Sequence, residues 1–471
     1  MKKSTYVSCL TIYNDVRSLS ATSHHDEVED GSSMITRRQL LGGVGALAGA
    51  GALAGCAPTG TPPGRDTLQF WHLLSGGDGV TMQALLDRIN DSQDDYFVRP
   101  TVLEWGTPYY TKLAMAGSGG RAPEAAIMHS SRVPGYVPGG LLDPWDIDRL
   151  AELGVGQDTF TGPMWDNSVV GDQLYSVPLD AHPFMLFSNR EVLRKAGVLE
   201  GGGFPEVGTP GEFVEVLREV TAAAPQHGLS YGFIGDGAQM WRLFYTLYSQ
   251  HGAEMSFPQG GSAKIDDEAA VESLRLMSEL VDGEIASSQG TIDAGIAEFS
   301  AGNSGLLFSG VWELPPMQDA GIDVNIQMIP PVFGRHAVYA DSHAFVLPHQ
   351  QDPDPQKRED TYAFVAELLK NSFDWAGAGH IPAYVPITED PEYDDLQPQA
   401  NYADAADHIV YDPKAWFTGS GANFQADFGQ VVQDAIRSGE GFQEAVDGLR
   451  SMVDEILAEP NPVDPEGTWN A

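Results

Sequence analysis

The sequence predicts an α/β protein, and three observations carry that expectation. Short apolar segments of strand character alternate with longer ones whose apolar residues recur at helical spacing. The chain has 471 residues, enough for two domains with full cores. Its 42% hydrophobic and 10% aromatic content suits a globular chain and not a disordered one.

Structure is expected to begin at Leu68-Gln69-Phe70-Trp71-His72, a short apolar strand. Residues 73–79 read as a Gly-rich turn into a helix carrying Val80, Met82, Leu85, Leu86 and Ile89 on one stripe. A second strand is expected at 97–104, a helix at 109–116 and a third strand at 125–128, which points to a largely parallel sheet. Strands follow at 175–178 and 184–188, then a helix at 190–196. Thr209-Pro210-Gly211-Glu212 reads as a helix start, with Thr209 able to cap and Pro210 suited to the first turn. Glu212 there lies near the positive end of the helix dipole. Further helices are expected at 241–250, 267–281, 290–300, 357–370 and 443–457, with short strands at 306–308 and 324–329. Residues 350–355 and 389–398, rich in Pro and Asp, read as loops, as does the Gly-rich stretch 374–384.

The formal charge is −40, from 66 acidic against 26 basic residues. Nucleic acid is therefore not an expected partner, because phosphate neutralisation needs basic patches. The acidity is expected to form a solvated, repulsive surface. The two cysteines, Cys9 and Cys56, leave the folded part without a disulfide, a thiolate metal site or a Cys nucleophile. Neither a cofactor nor a metal is expected.

Residues 36–56 hold a basic pair, Arg37-Arg38, then a Gly/Ala-rich apolar run ending in Leu53-Ala54-Gly55-Cys56. The pattern resembles a bacterial twin-arginine export signal closed by a lipobox, with Cys56 as the lipidated residue. Gly43-Val44-Gly45-Ala46-Leu47-Ala48 also fits a relaxed dinucleotide fingerprint, but no strand precedes it. The run is also too mildly hydrophobic for a transmembrane helix. Residues 1–33 are expected to be a disordered or mis-assigned extension, 34–55 the signal and 56–65 a tether. The expected address is the outer face of the cell membrane, reached through a lipid anchor.

Several ordered segments resemble a known family. Gly139-Gly140-Leu141-Leu142-Asp143-Pro144-Trp145 resembles its "G-G-L-L-x-P-L" segment, and Asp172-Gln173-Leu174-Tyr175-Ser176-Val177-Pro178 its "D-G-K-L-Y-G-V-P". The stretch from Phe187 to Gly197 resembles "Y-Y-N-K-D-L-F-K-K-A-G", and that from Phe299 to Gly305 "F-x-x-G-K-A-A-M", followed by Gly310-Val311-Trp312. Ser188, Asn303 and Ser304 depart from those patterns. In order and spacing the segments are similar to family 1 extracellular solute-binding proteins, the maltose-binding type that serves bacterial ABC importers.

The resemblance implies a two-lobed periplasmic-binding-protein-like fold, with hinge-connected lobes and an inter-lobe ligand cleft. The first lobe would use 66–180 and 334–369, the second 181–333 and 370–471. It implies a non-enzymatic, monomeric binder that delivers a carbohydrate to permease subunits. Affinity would be roughly micromolar, about 8 kcal/mol.

Sugar faces stack on aromatic rings, and sugar hydroxyls need carboxylates, amides and imidazoles. Trp71, His72, Asp78, Trp105 and His129 sit at the ends of the first strands or in the turns after them. Asp180 and His182 fall at the expected hinge. Trp241, Trp312 and Glu313 come from the second lobe; His343 lies near a return strand, and His380 and Tyr384 in a late loop. Trp145, Trp165 and Trp416 are expected to pack in cores. The competing class is a secreted carbohydrate-active hydrolase with two separated carboxylates, although the chain has no nucleophile elbow, zinc helix or P-loop. A sensor subunit would share the fold. Within the binder class, a glycerol 3-phosphate or polyol binder would need cations, for which Arg132, Arg242 and Arg335 are candidates.

Overall fold

The computed structural model describes residues 64–464. The segment 1–33, the signal with Arg37 and Arg38, and Cys56 lie outside the described residues. Among the described residues no helix is long and apolar enough to cross a membrane.

Two sheets with helices packed on them form the fold. In the first, the strand order is Tyr96–Val102, Asp66–His72, Ala125–His129, His343–Pro348 and Leu142–Asp143, with Ser176–Pro178 also paired to His343–Pro348. The first three strands run parallel, so they end on one edge. The centre of the second sheet is Asp180–Asn189, ten residues that are all buried. It pairs antiparallel with Ser304–Gly310, Val324–Gln327, Val338–Asp341 and Ile381–Pro382.

The expected largely parallel order thus holds for the opening strands and, in the second sheet, only for the pairings of Ser304–Gly310 with His227–Ser230 and of Val338–Asp341 with Ile409–Val410. The chain enters the second sheet straight from the first, through Leu179 alone. Parallel pairing to a preceding strand would need a long crossover there, whereas antiparallel partners can simply return alongside. A second direct crossing joins Val338–Asp341 to His343–Pro348 through Ser342. These two crossings put Asp180, His182, Asp341 and His343 where the sheets meet.

The helices follow the sequence pattern with instructive exceptions. Gly76–Ser92 buries Met82, Leu85, Leu86 and Ile89, but Val80 is 72% exposed and leaves the stripe. Thr209 and Glu212 form a reciprocal capping box on Pro210–Ala223. The late stretch read as a loop contains the short helix Phe373–Gly377 and the strand Ile381–Pro382. The helix Asn423–Ser438 was not expected; it begins at Ala422 without a side-chain cap, so its start carries no signal. Trp145 and Trp165 are core residues, and Trp416 is partly buried against the second core.

Candidate functional site

Long-range register brings the candidate residues together. His72 and His129 each end a parallel strand. His343 pairs with His129 across the first sheet, and Asp341 pairs with His182 across the second. His380 enters from the segment before Ile381–Pro382. Its neighbour Gly379 has φ +100° and lies so close to Val311 that a Cβ would stand 2.2 Å from that carbonyl oxygen. Only glycine fits there.

Asp180 is the hub. Its oxygens lie 3.1 Å from His182 Nδ1, 2.8 Å from His343 Nδ1 and 3.5 Å from His380 Nδ1. Trp375 Nε1 donates to it at 2.6 Å and the His343 backbone N–H at 2.9 Å. Burial alone would raise its pKa, but the His343 and His380 charges and the imidazole hydrogen bonds hold it well below the usual carboxylate range. Trp375 also stacks on His380, with ring centroids 4.7 Å apart.

A second buried carboxylate, Asp341, accepts from Ser130 Oγ at 3.2 Å, from the backbone N–H groups of Ser131 and Ser342 at 3.2 and 2.8 Å, and from the Ser131 hydroxyl. Burial would raise its pKa, but His129 and His182 keep it low. Burial also holds His129 well below the normal imidazole range. His72 is brought down to about 4 by burial and then by His343. His380 differs: burial would lower its pKa, but Asp78 and Asp180 raise it, with Asp78 Oδ1 3.0 Å from Nε2.

Above this cluster opens a cavity of about 440 Å³. Leu73, Asp78, Trp105 and His129 line it from the first lobe. Arg242, Ile292, Trp312 and Pro315 line it from the second, with His182, His343 and His380 at its base. Trp105 is 48% exposed. The Trp312 indole lies across Gly310, where a Cβ would meet ring carbons at 2.0 Å. Arg242 caps the Trp312 ring at 5.0 Å. A larger cavity of about 980 Å³, lined by Trp165, Lys414 and Trp416 among others, has no histidine on its wall. The smaller one is the candidate site because ionisable and aromatic groups converge there.

Asp78, Trp105, His129, His182, Trp312, His343 and His380 therefore all line this one cavity, over Asp180. His72 is buried behind it, close enough to feel the His343 charge. Glu313 is half-buried beside Trp312; burial raises its pKa, against which the Trp312 hydrogen bond works. The other three candidates lie elsewhere. Trp71 is partly buried on the far side of its strand, under Lys112 at 5.3 Å. Trp241 is fully buried in the second core and donates to Asp412 at 2.6 Å. Tyr384 packs in the first core and donates to the Gly154 carbonyl at 3.1 Å. Sequence reasoning missed Ser420 and the role of Asp341. The Gly419-Ser420-Gly421 triplet, with φ of +100° and +71° at its glycines, was the available signal for the first.

With this geometry in place, similarity to known proteins becomes informative. The chain is 22% identical over 317 residues to the sn-glycerol-3-phosphate-binding periplasmic protein of Yersinia enterocolitica, covering 64% of this chain and 69% of that one. Its fold matches the cyclic alpha-maltosyl-1,6-maltose binding protein of Arthrobacter globiformis with a TM-score of 0.67 at 18% identity, covering 84% of this chain and 100% of the other. It also matches the sugar-binding protein MalE of Xanthomonas citri with a TM-score of 0.69 at 16% identity, over 83% and 97% of the two chains. Residues 84–390 match the family described as bacterial extracellular solute-binding protein. A two-lobed fold with its cavity at the strand ends, together with that match, leads to one conclusion: the chain belongs to the bacterial extracellular solute-binding proteins.

Proposed function

We propose that this protein captures a mono- or oligosaccharide outside the cytoplasm and passes it to the permease of an ABC importer. One observation carries the reading. The cavity combines the indoles of Trp105 and Trp312 with carboxylate and imidazole groups, drawn from both lobes. Indole planes suit the apolar faces of a sugar, and Asp78, His182 and His343 suit its hydroxyls. The names of the similar structures, which specify sugars, agree with this choice. The protein acts by stoichiometric binding as a monomer. Export through Arg37-Arg38 and lipidation of Cys56 would hold it at the outer face of the membrane.

Calorimetry on the purified protein with a panel of neutral sugars, polyols and sugar phosphates tests the proposal. The expected result is saturable binding of one sugar with no product formed. Trp312→Ala should weaken that binding by about 1–3 kcal/mol, by analogy with aromatic anchors at interfaces. Turnover of the sugar, or binding confined to amino acids and peptides, would overturn the reading.

A phosphorylated polyol is the second reading, and Arg242 favours it. Among the described residues it is the one arginine or lysine on the cavity wall, and the Yersinia relative is named for such a ligand. Preference for glycerol 3-phosphate over neutral sugars, lost in Arg242→Gln, would select it.

A further inference from the structure

The Asp180 cluster offers chemistry that solute capture alone does not use. One donor atom from each of Asp180, His182, His343 and His380 lies within 4.8 Å of the other three, and all four residues are buried. The three imidazole-to-carboxylate distances are 2.8, 3.1 and 3.5 Å. Donors held 2.0–2.1 Å from a tetrahedral zinc stand about 3.3 Å from one another. The imidazole-to-carboxylate distances are close to that value, and the donors as a set lie within 4.8 Å of one another.

Hydrogen bonding leaves part of this donor set unused. His380 Nδ1 has no hydrogen-bond partner although the residue is wholly buried. Its other nitrogen, Nε2, faces Asp78 Oδ1 at 3.0 Å. A ring proton held there by the carboxylate turns the Nδ1 lone pair toward Asp180. Carboxylates commonly orient metal-bound histidines in this way. Trp375 Nε1 and the His343 backbone N–H fix the Asp180 carboxylate in turn, so the donors are pre-oriented by their surroundings.

We infer that Asp180, His182, His343 and His380 bind one divalent cation of the zinc class. Three imidazoles with one carboxylate suit zinc, cobalt or nickel; magnesium and calcium prefer all-oxygen sets. Asp180 and His182 belong to the strand entering the second sheet, His343 to the strand returning to the first, and His380 to the segment before Ile381–Pro382. The ion pins these three segments together beneath the cavity. The cysteine count excludes only thiolate sites, so it does not bear on this one. The imidazoles are scattered over residues 182 to 380 and meet only through the fold.

The test uses the full chain, stripped with a chelator and titrated with cobalt(II) alone, followed by zinc(II). One equivalent of cobalt should bind, produce the visible ligand-field bands of a four-coordinate N/O site, and be displaced by zinc. Asp78→Asn, in the first turn of a helix and away from the core, should weaken metal binding by about 10–100-fold through loss of ring orientation. His380→Ala should abolish the cobalt bands while circular dichroism shows the fold retained, and His349→Ala at the surface should leave them unchanged. Absence of stoichiometric cobalt binding, or bands that survive His380→Ala in a folded protein, would overturn the inference. Solute binding measured separately on stripped protein keeps the two readings apart: solute bound without any cobalt uptake removes the metal site and leaves the proposed function standing.

Discussion

Two buried carboxylates show how placement decides what a residue does. Asp180 is encircled by donors, so removing it leaves two imidazoles, an indole N–H and a backbone N–H without this partner and takes a nearby carboxylate from His380. Asp180→Ala should destabilise the fold by about 3–5 kcal/mol, as breaking one side of a buried charged network does. Denaturant unfolding measures this, and a loss below about 1 kcal/mol would show the hub to be replaceable. Asp412 behaves oppositely. Burial, then the Asp341 charge, push its pKa up to about 7, against hydrogen bonds from Tyr339 and Trp241. In the unfolded chain it titrates near 3.9. Below about pH 4 it is neutral in both states, and above about 7 it is charged in both, so the fold loses stability as pH rises through that window and does not recover it. Asp412→Asn should remove a loss on the order of 3–5 kcal/mol between those limits. Parallel stability-versus-pH curves for wild type and variant would refute this. Position at strand ends marked His72 and His129 as candidates, the expected hinge marked His182 and a return strand marked His343. It could not show their convergence, which depends on pairings such as His343 with His129.

At the scale of elements, the opening strands and most helices were legible because amphipathic spacing and caps are local, whereas His227–Ser230, Val338–Asp341 and His343–Pro348 were not delimited among the expected strands. The Thr209–Glu212 box is wholly written in four residues. The helix Asn423–Ser438, without a cap, and the pairing of Ile381–Pro382 with the crossing strand needed the tertiary fold. Trp241 and Trp312 illustrate the same limit, since a polar residue follows each and only packing separates core from cavity wall. Gly310 settles the pose of Trp312. Its φ of −82° suits any residue, so Gly310→Ala adds no backbone strain and tests the steric effect alone. The new methyl would occupy the space of the indole, forcing Trp312 off the cavity wall. Solute affinity should fall by about 1–3 kcal/mol, much as in Trp312→Ala. The double variant should lose no more than either single one. An additional loss in the double variant would place the effect somewhere other than the indole.

At the scale of the molecule, the two direct crossings at Leu179 and Ser342 join two sheets whose loops face each other across the cavity. Single-residue links are few enough to act as a hinge, and the cavity draws Trp105 from one side and Trp312 from the other. A solute that touches both walls gains its full set of contacts only when they approach, so it selects the closed arrangement by its differential affinity. Saturation at a hundred times Kd should raise unfolding stability by about 2.7 kcal/mol. It should also reduce the radius of gyration seen by small-angle X-ray scattering. The net charge of −40 helps to suppress the self-association that would obscure such a change. Moderate salt should screen the remaining repulsion between molecules without altering the difference between free and bound forms. Trp312→Ala should diminish the compaction together with affinity, because it removes one of the two walls the solute must bridge. Tight binding with an unchanged radius of gyration would mean that the cavity is already in its binding arrangement, and that capture proceeds without hinge closure.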